Sequence, residues 1–410
     1  MKKLIAMLVM ASCACSVAFS QEVKMSITGE VKTGLFWYST ESDDPNATGG
    51  TFSDKGAFIH NTEDDNWQAL KDMSGLRGSQ GLYRLNFDII KGNLGAKFRF
   101  ETTSWQSTSA GNTEGAAYWG YAFLYGNFFN NQFRFSAGKL GDSPWGSGDE
   151  LQVELDNTMG MRFEYMPTYI PGLDIGFVLN DWNTPAKANA EFIDLLSETV
   201  LGLSYTHDYF HLRFAYRLDS KADEDSYYRP PTDHGGQLVY RVEERIIQKY
   251  LPGFQIWATG YFEDIASGDK NQLTGTNWLY FQYDPDFFTA QVRFGYDVAN
   301  LEVMQQYGDR SRQFFSVKPS FFYKIFNNLL SAGLAFEYAK DFGSDPNKIV
   351  SQSYLYWYIE PQLRVNLNEN TYLAFVYRYQ DDYYKLDRNN NYVPFNSRTH
   401  WVNLRAVFFF

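Results

Sequence analysis

From Val23 onward the chain alternates. Val23, Met25, Ile27, Val31, Leu35 and Trp37 take odd positions; Lys24, Ser26, Thr28, Glu30 and Lys32 take even ones. Successive side chains of a β-strand point to opposite faces, so this period predicts a strand with one apolar and one polar face. The same period runs through Tyr83, Leu85, Phe87 and Ile89, interleaved with Arg84, Asn86 and Asp88. It returns in Leu94, Ala96, Phe98 and Phe100, interleaved with Lys97, Arg99 and Glu101. Lys91-Gly92-Asn93 between them reads as a tight hairpin turn. Followed to the last residue, the pattern predicts about eighteen strands, with sixteen as the lower bound. Their spans are 23–38, 82–90, 94–102, 117–125, 132–140, 159–166, 173–180, 200–207, 210–218, 236–245, 254–263, 276–283, 287–297, 312–324, 329–339, 353–366, 371–379 and 399–410.

The connections alternate in length. Short ones include 91–93, 126–131, 208–209, 284–286, 325–328 and 367–370. Long ones include 39–81, 103–116, 141–158, 181–199, 219–235, 264–275, 298–311, 340–352 and 380–398. A soluble sandwich has no reason to lengthen every second loop, whereas an outer-membrane barrel has short inner turns and long outer loops. The expected fold is therefore all-β: a transmembrane antiparallel up-and-down β-barrel with long outer loops and short periplasmic turns. In lipid every backbone polar group must be paired internally, so such a sheet has to close on itself. Phe128, Phe129, Tyr209, Phe210, Tyr250, Phe287, Phe288 and Phe326 lie beside the short turns, where an interfacial aromatic girdle is expected. Within 181–199, Ala188, Phe192, Leu195 and Leu196 have helical spacing, which predicts a short helix over 186–198.

Composition narrows the class. The chain has 410 residues, a formal net charge of −12, and 10 Trp, 30 Tyr and 35 Phe. So many aromatics exclude a mostly disordered chain, and the acidic balance argues against nucleic-acid binding. No apolar run beyond the first residues is long enough for a membrane-spanning helix. Lys2 and Lys3, the apolar run Leu4–Met10, and Ala18-Phe19-Ser20 together read as a signal peptide, residues 1–20, cleaved before Gln21. Residues 21–410 then form one barrel domain. The only cysteines, Cys13 and Cys15, fall within the leader. Lipoprotein processing at either is the alternative to simple cleavage. Only Gln21 and Glu22 separate the expected cleavage site from the first strand at Val23, so no plug or hatch domain is expected before it.

With these features assembled, the chain resembles a bacterial outer-membrane porin. The resemblance rests on the loop rhythm, on the last strand (Val402, Leu404, Ala406, Phe408, Phe410), and on the segment Gly141-Asp142-Ser143-Pro144-Trp145-Gly146-Ser147-Gly148-Asp149-Glu150. Porins end similarly, and the resemblance implies that the barrel assembly machinery reads Phe408 and Phe410. In porins the corresponding loop folds inward and narrows the bore. The resemblance thus implies a channel of the cell outer membrane, surrounded by outer-membrane lipid and passing small hydrophilic solutes or ions by diffusion. It also allows a homotrimer. A surface adhesin or host-interacting barrel acting through its long loops is the alternative.

A barrel of this size holds an aqueous channel lined by the polar half of each strand. On that face cations outnumber carboxylates, so the loops carry the negative excess of the chain. The expected constriction sets Asp142, Asp149, Glu150, Glu154 and Asp156 of loop 141–158 against Arg84, Arg99, Arg134 and Arg162 on the wall. Trp257, Tyr261, Tyr356 and Tyr358 fall at lumen-facing positions, where aromatic rows can hold sugar rings; packing or an interface belt is the competing account. His207 and His211 flank a tight turn, but two histidines without a third ligand make no metal site. No Ser-His spacing and no phosphate-cradling glycine loop stands out. No enzyme activity, metal or cofactor is expected.

Overall fold

The structure is a computed structural model. It describes residues 22–42, 52–59, 83–102, 117–141, 144–146, 159–180, 199–218, 236–263, 274–299, 312–341, 350–388 and 391–410. Nineteen strands occur among these residues. They are β1 (Val23–Ser42), β2 (Phe52–Ile59), β3 (Tyr83–Lys91), β4 (Leu94–Thr102), β5 (Ala117–Phe128), β6 (Phe133–Lys139), β7 (Met159–Tyr165), β8 (Leu173–Asn180), β9 (Val200–Thr206) and β10 (Phe210–Arg217). The chain continues through β11 (Gln237–Glu244), β12 (Phe254–Glu263), β13 (Thr274–Tyr283), β14 (Phe288–Ala299), β15 (Arg312–Ile325), β16 (Leu330–Asp341), β17 (Val350–Asn368), β18 (Thr371–Arg388) and β19 (Asn391–Phe409). One short helix, α1 (Ile246–Tyr250), joins β11 to β12.

Every strand from β3 to β19 pairs antiparallel with the next, and β19 pairs back onto β1. β1 pairs with β3 over its first half, from Val23↔Lys91 to Val31↔Tyr83. Above that point β2 takes over the same edge, from Leu35↔Ile59 to Ser42↔Phe52. β2 therefore extends the wall rather than adding to its circumference, and the closed barrel has eighteen strands. Closure matters because no edge is left with unpaired backbone groups. At the seam, Gly29 and Phe410 exchange two backbone hydrogen bonds, of 2.7 and 3.0 Å.

The two faces are chemically opposite. Leu124, Leu201, Phe321, Leu363 and Leu404 are exposed on the outside. Arg162, Glu164, Arg293, Lys318, Glu337, Glu360, Arg378 and Arg405 are buried on the inside. A water-soluble fold does the reverse, so the outer band is a surface made for hydrocarbon and the inner one for water and ions.

The short connections sit at one end. At Gly92-Asn93 the turn takes two residues, with Gly92 at φ +62°, the position where a tight hairpin needs a residue tolerant of positive φ. Two other turns repeat one sequence and one shape. Phe129-Asn130-Asn131 and Phe326-Asn327-Asn328 are left-handed throughout, with φ between 52° and 65°. Asparagine tolerates this region; phenylalanine does so at a cost. Both phenylalanines are largely exposed, 72% and 74%, and point from the turns together with Tyr169, Tyr209, Tyr250 and Phe287. An interfacial girdle has this form. Replacing Asn327 by valine should lower barrel stability by about 1–2 kcal/mol, because a β-branched residue resists φ > 0. Glycine there should not. Urea unfolding of the two variants in detergent checks it. Beside the next turn, Asp284 accepts from Lys324 Nζ at 2.7 Å and Thr289 Oγ1 at 2.6 Å. Burial alone would push its pKa up, but these bonds hold it below the usual value.

Two prolines stand mid-strand on the outer face. Pro319 of β15 keeps register with Val292 of β14, but the β15–β16 ladder lapses between Val317↔Tyr338 and Ser320↔Ala335. Pro361 of β17 keeps register with Leu334, while the β17–β18 ladder lapses between Ile359↔Tyr379 and Gln362↔Val376. Proline has no N–H to give, so each lapse faces the side its missing donor would serve. In both cases the preceding residue points inward and carries a charge paired across the gap. Lys318 Nζ lies 3.9 Å from Glu337. Arg378 reaches Glu360 at 2.6 and 2.7 Å. Side-chain ion pairs thus stitch the wall where its ladder is open.

Strand reading from the sequence needs correction at the loop end. Residues 380–388 and 391–398, expected as a long loop, continue β18 and β19 with pairing out to Arg388↔Asn391. β1 runs to Ser42, and part of the expected loop 39–81 is β2. Beyond the membrane both strand faces are wet, so alternation loses its contrast. The leader (residues 1–20) and the helix expected over 186–198 lie outside the described residues.

Candidate functional site

The site is the lumen wall and the chain that leaves β6. Strands β3, β4, β6 and β7 each present every second side chain inward, and this period places the four wall arginines singled out from sequence on one face. Arg84 pairs with Glu30 at 2.8 Å. Arg99 Nε donates to Asn86 Oδ1 at 2.9 Å, and its guanidinium lies 4.5 Å from the centre of the Tyr121 ring. Arg134 Nε donates to Asn127 Oδ1 at 2.8 Å and approaches Glu164 at 4.0 Å. Arg162 Nε binds Glu164 at 3.1 Å. Arg134 and Arg162 therefore meet around one buried carboxylate, while Arg84 and Arg99 hold other partners.

After β6 the chain turns into the barrel. Leu140 and Gly141 are buried, and Arg162 Nη1 donates to the carbonyl of Gly141 at 3.3 Å. Four residues further on, Trp145 is fully buried, at 0% exposure. Its ring covers Gly176 and Gly202, a directly paired couple on the inner face of β8 and β9. Its Nε1 donates to Asp174 Oδ1 at 3.4 Å. Truncating a buried tryptophan costs about 3–5 kcal/mol. Trp145 and Leu140 share one apolar cluster with Tyr121, Phe123, Val178, Val200, Ala215 and Val239. The expected acidic partners Asp142, Asp149, Glu150, Glu154 and Asp156 lie outside the described residues.

The apolar inner positions Val178, Val200, Ala215 and Val239 escape a sequence reading that assigns the polar half of each strand to the lumen. The signal that finds them is parity. Asp174, Gly176 and Val178 share one face of β8, so valine goes inward with the aspartate.

The aromatic positions singled out for sugar rings are engaged with neighbours. Trp257 stacks on Tyr280, centroids 4.6 Å apart and planes 9° apart. Tyr261 packs on the apolar cluster. Tyr356 stacks on Phe314 at 5.6 Å and donates to Glu337 at 3.0 Å. Tyr358 is buried beneath Arg378, whose guanidinium sits 3.7 Å from its ring centre. On the last strand, Phe408 faces outward and Phe410 closes the seam with Gly29.

Farther round the wall, Glu337 is shared by Arg293 at 3.0 Å, Lys318 and Tyr356. One relay was not apparent in the spacing. Ser204 Oγ lies 3.4 Å from His211 Nε2, and His211 Nδ1 lies 3.4 Å from Glu243. That is the outline of a nucleophile, base and carboxylate. However, Arg213 Nε donates to the same Nε2 at 3.3 Å, so the lone pair that would take a serine proton already accepts from a guanidinium. Arg241 binds Glu243 at 2.5 Å. His207 stacks on Phe210, on the opposite face of the hairpin from His211. No group of three metal-ligating side chains occurs among the described residues.

A closed barrel with an apolar outside and a charged inside defines the class: this is a porin-like transmembrane β-barrel of the outer-membrane type. No protein-family model and no curated protein matches the sequence. Solved structures do resemble it. The outer membrane channel DcaP of Acinetobacter baumannii aligns with 13% identity over 95% of this chain and 97% of its own, TM-score 0.47. An anion-selective porin from Comamonas acidovorans aligns with 10% identity over 94% and 100%, TM-score 0.47. OccK11 (OpdR) of Pseudomonas aeruginosa aligns with 11% identity over 93% and 96%, TM-score 0.46.

Proposed function

We propose that this chain is a non-enzymatic channel for passive diffusion of small hydrophilic solutes or ions across the outer membrane, narrowed by the segment that follows β6. The observation that carries the reading is the position of Trp145: a loop residue fully buried against an apolar patch on the inner wall of a barrel that elsewhere buries charged side chains on that wall. A barrel serving only as a scaffold for surface loops has no need to send one of them inward. The stacking partners of Trp257, Tyr356 and Tyr358 make ions and small polar solutes the first cargo to test. The exposed apolar belt suits outer-membrane lipid, and the strand ending at Phe408–Phe410 suits recognition by the assembly machinery. Refolded protein added to a planar bilayer should give reproducible unitary current steps in salt. A bilayer that stays sealed with correctly folded protein refutes the channel.

A further inference from the structure

We infer that Trp145 and the paired glycines Gly176 and Gly202 form a latch that fixes the bore of the channel, an inference that rests on the channel reading above. Three facts converge. First, the glycines face one another across β8 and β9, leaving a notch two side chains wide in the inner wall. Secondly, the notch has the shape of the indole. A Cβ built on Gly202 would lie 1.8 Å from Trp145 Cδ2 and 1.9 Å from Cε3, and one on Gly176 would lie 2.9 Å from Cη2. Thirdly, the approach is pinned as well: Gly141 is held by Arg162 of β7, and the indole N–H is taken by Asp174 of β8. The chain therefore leaves β6, crosses the inner face of β7 and is fastened between β8 and β9.

Such a latch is a positioning device. Trp145 need not touch a permeating solute; it sets how far the chain after β6 stands from the wall. Valines 178 and 200, directly paired beside the notch, complete an apolar seat that only an apolar side chain fills without stranding polar groups. Packed interiors change by discrete steps, so an evicted indole leaves the seat altogether.

Gly202→Ala is the sharp test. All three of the nearest atoms to its new Cβ belong to Trp145, so the methyl strikes the ring first. Gly176→Ala is less clean, since its Cβ also meets the Phe163 carbonyl at 1.9 Å. The experiment compares wild type, Gly202→Ala and Trp145→Ala in planar bilayers, with heat-modifiable gel mobility confirming a folded barrel. Gly146→Cys, in a background carrying Cys13→Ser and Cys15→Ser, reports independently on seating through its rate of labelling by a polar maleimide. Both variants should show larger unitary conductance and faster labelling than their parent. If labelling rises while conductance stays at the parental value, the seat exists but does not set the bore, and the inference fails. Unchanged labelling in both variants overturns the latch itself. A wild type that folds yet never conducts overturns the channel reading and the bore-setting role with it; labelling then decides only whether Trp145 is seated. Should Gly202→Ala fail to fold, Trp145→Ala carries the same two readouts.

Discussion

Replacing Arg378 by methionine should cost the barrel about 3–5 kcal/mol, since the change leaves Glu360 buried without its counter-charge. Both side chains are fully buried, and their contacts of 2.6 and 2.7 Å cross the wall where Pro361 interrupts the β17–β18 ladder. The loss has two parts. One is the desolvated carboxylate, which also accepts from Gln362 at 2.6 Å. The other is mechanical: the ion pair spans a stretch with fewer backbone bonds. Replacing Glu360 and Arg378 together by methionine should recover most of the first part and none of the second. Pro361→Val, which returns an N–H to the open ladder, should then restore part of the remainder in the double variant. Urea midpoints in detergent measure all four proteins. A single variant with the parental midpoint would show that the pair contributes nothing there.

Ion preference should move in opposite directions with two sets of wall charges. Glu164 pairs with Arg134 and Arg162 beside the chain that enters from β6. Glu164→Gln exposes two guanidinium charges to the bore and should shift the zero-current potential toward anions. Removing Arg84 and Arg99 together should shift it toward cations. Neutralising Asp149, Glu150 and Glu154, the acidic side expected from sequence, should act in the same direction as Glu164→Gln. Each shift is read across a salt gradient and should shrink as ionic strength rises, because screening lengths fall. If all three variants keep the parental potential, these charges are not the filter.

The strands were legible in the sequence because lipid outside and water inside impose a contrast at every second residue. Leu404 against Arg405, or Leu363 against Arg364, cannot be read any other way. Legibility fails where that contrast fades. Asp381, Asp382 and Tyr383 put polar groups on both faces of the strand and look like loop although they are paired strand. It also fails inside. Gly176 and Gly202 carry no side chain and so no pattern, and their meaning depends on a tryptophan many residues away in sequence. The wall arginines were found by parity alone, but parity could not say that Arg134 and Arg162 share Glu164. That requires knowing that β6 and β7 are neighbours in a set register. The Pro361 gap is visible in sequence as a proline in a strand, whereas its ion-pair stitch appears only once Arg378 is placed opposite Glu360.

The strands differ greatly in length, and the difference is not scattered. β17, β18, β19 and β1 are adjacent and run 19, 18, 19 and 20 residues. β6 to β11, grouped around the far side of the circle, have 7 or 8 residues each. At about 3.3 Å per residue and the usual tilt, the described wall stands on the order of 25 Å higher on one side. Those four strands stay hydrogen-bonded to one another along the added length, with pairing at Ser42↔Ser397 and out to Arg388↔Asn391, so on that side the sheet runs on well past the length a bilayer crossing requires.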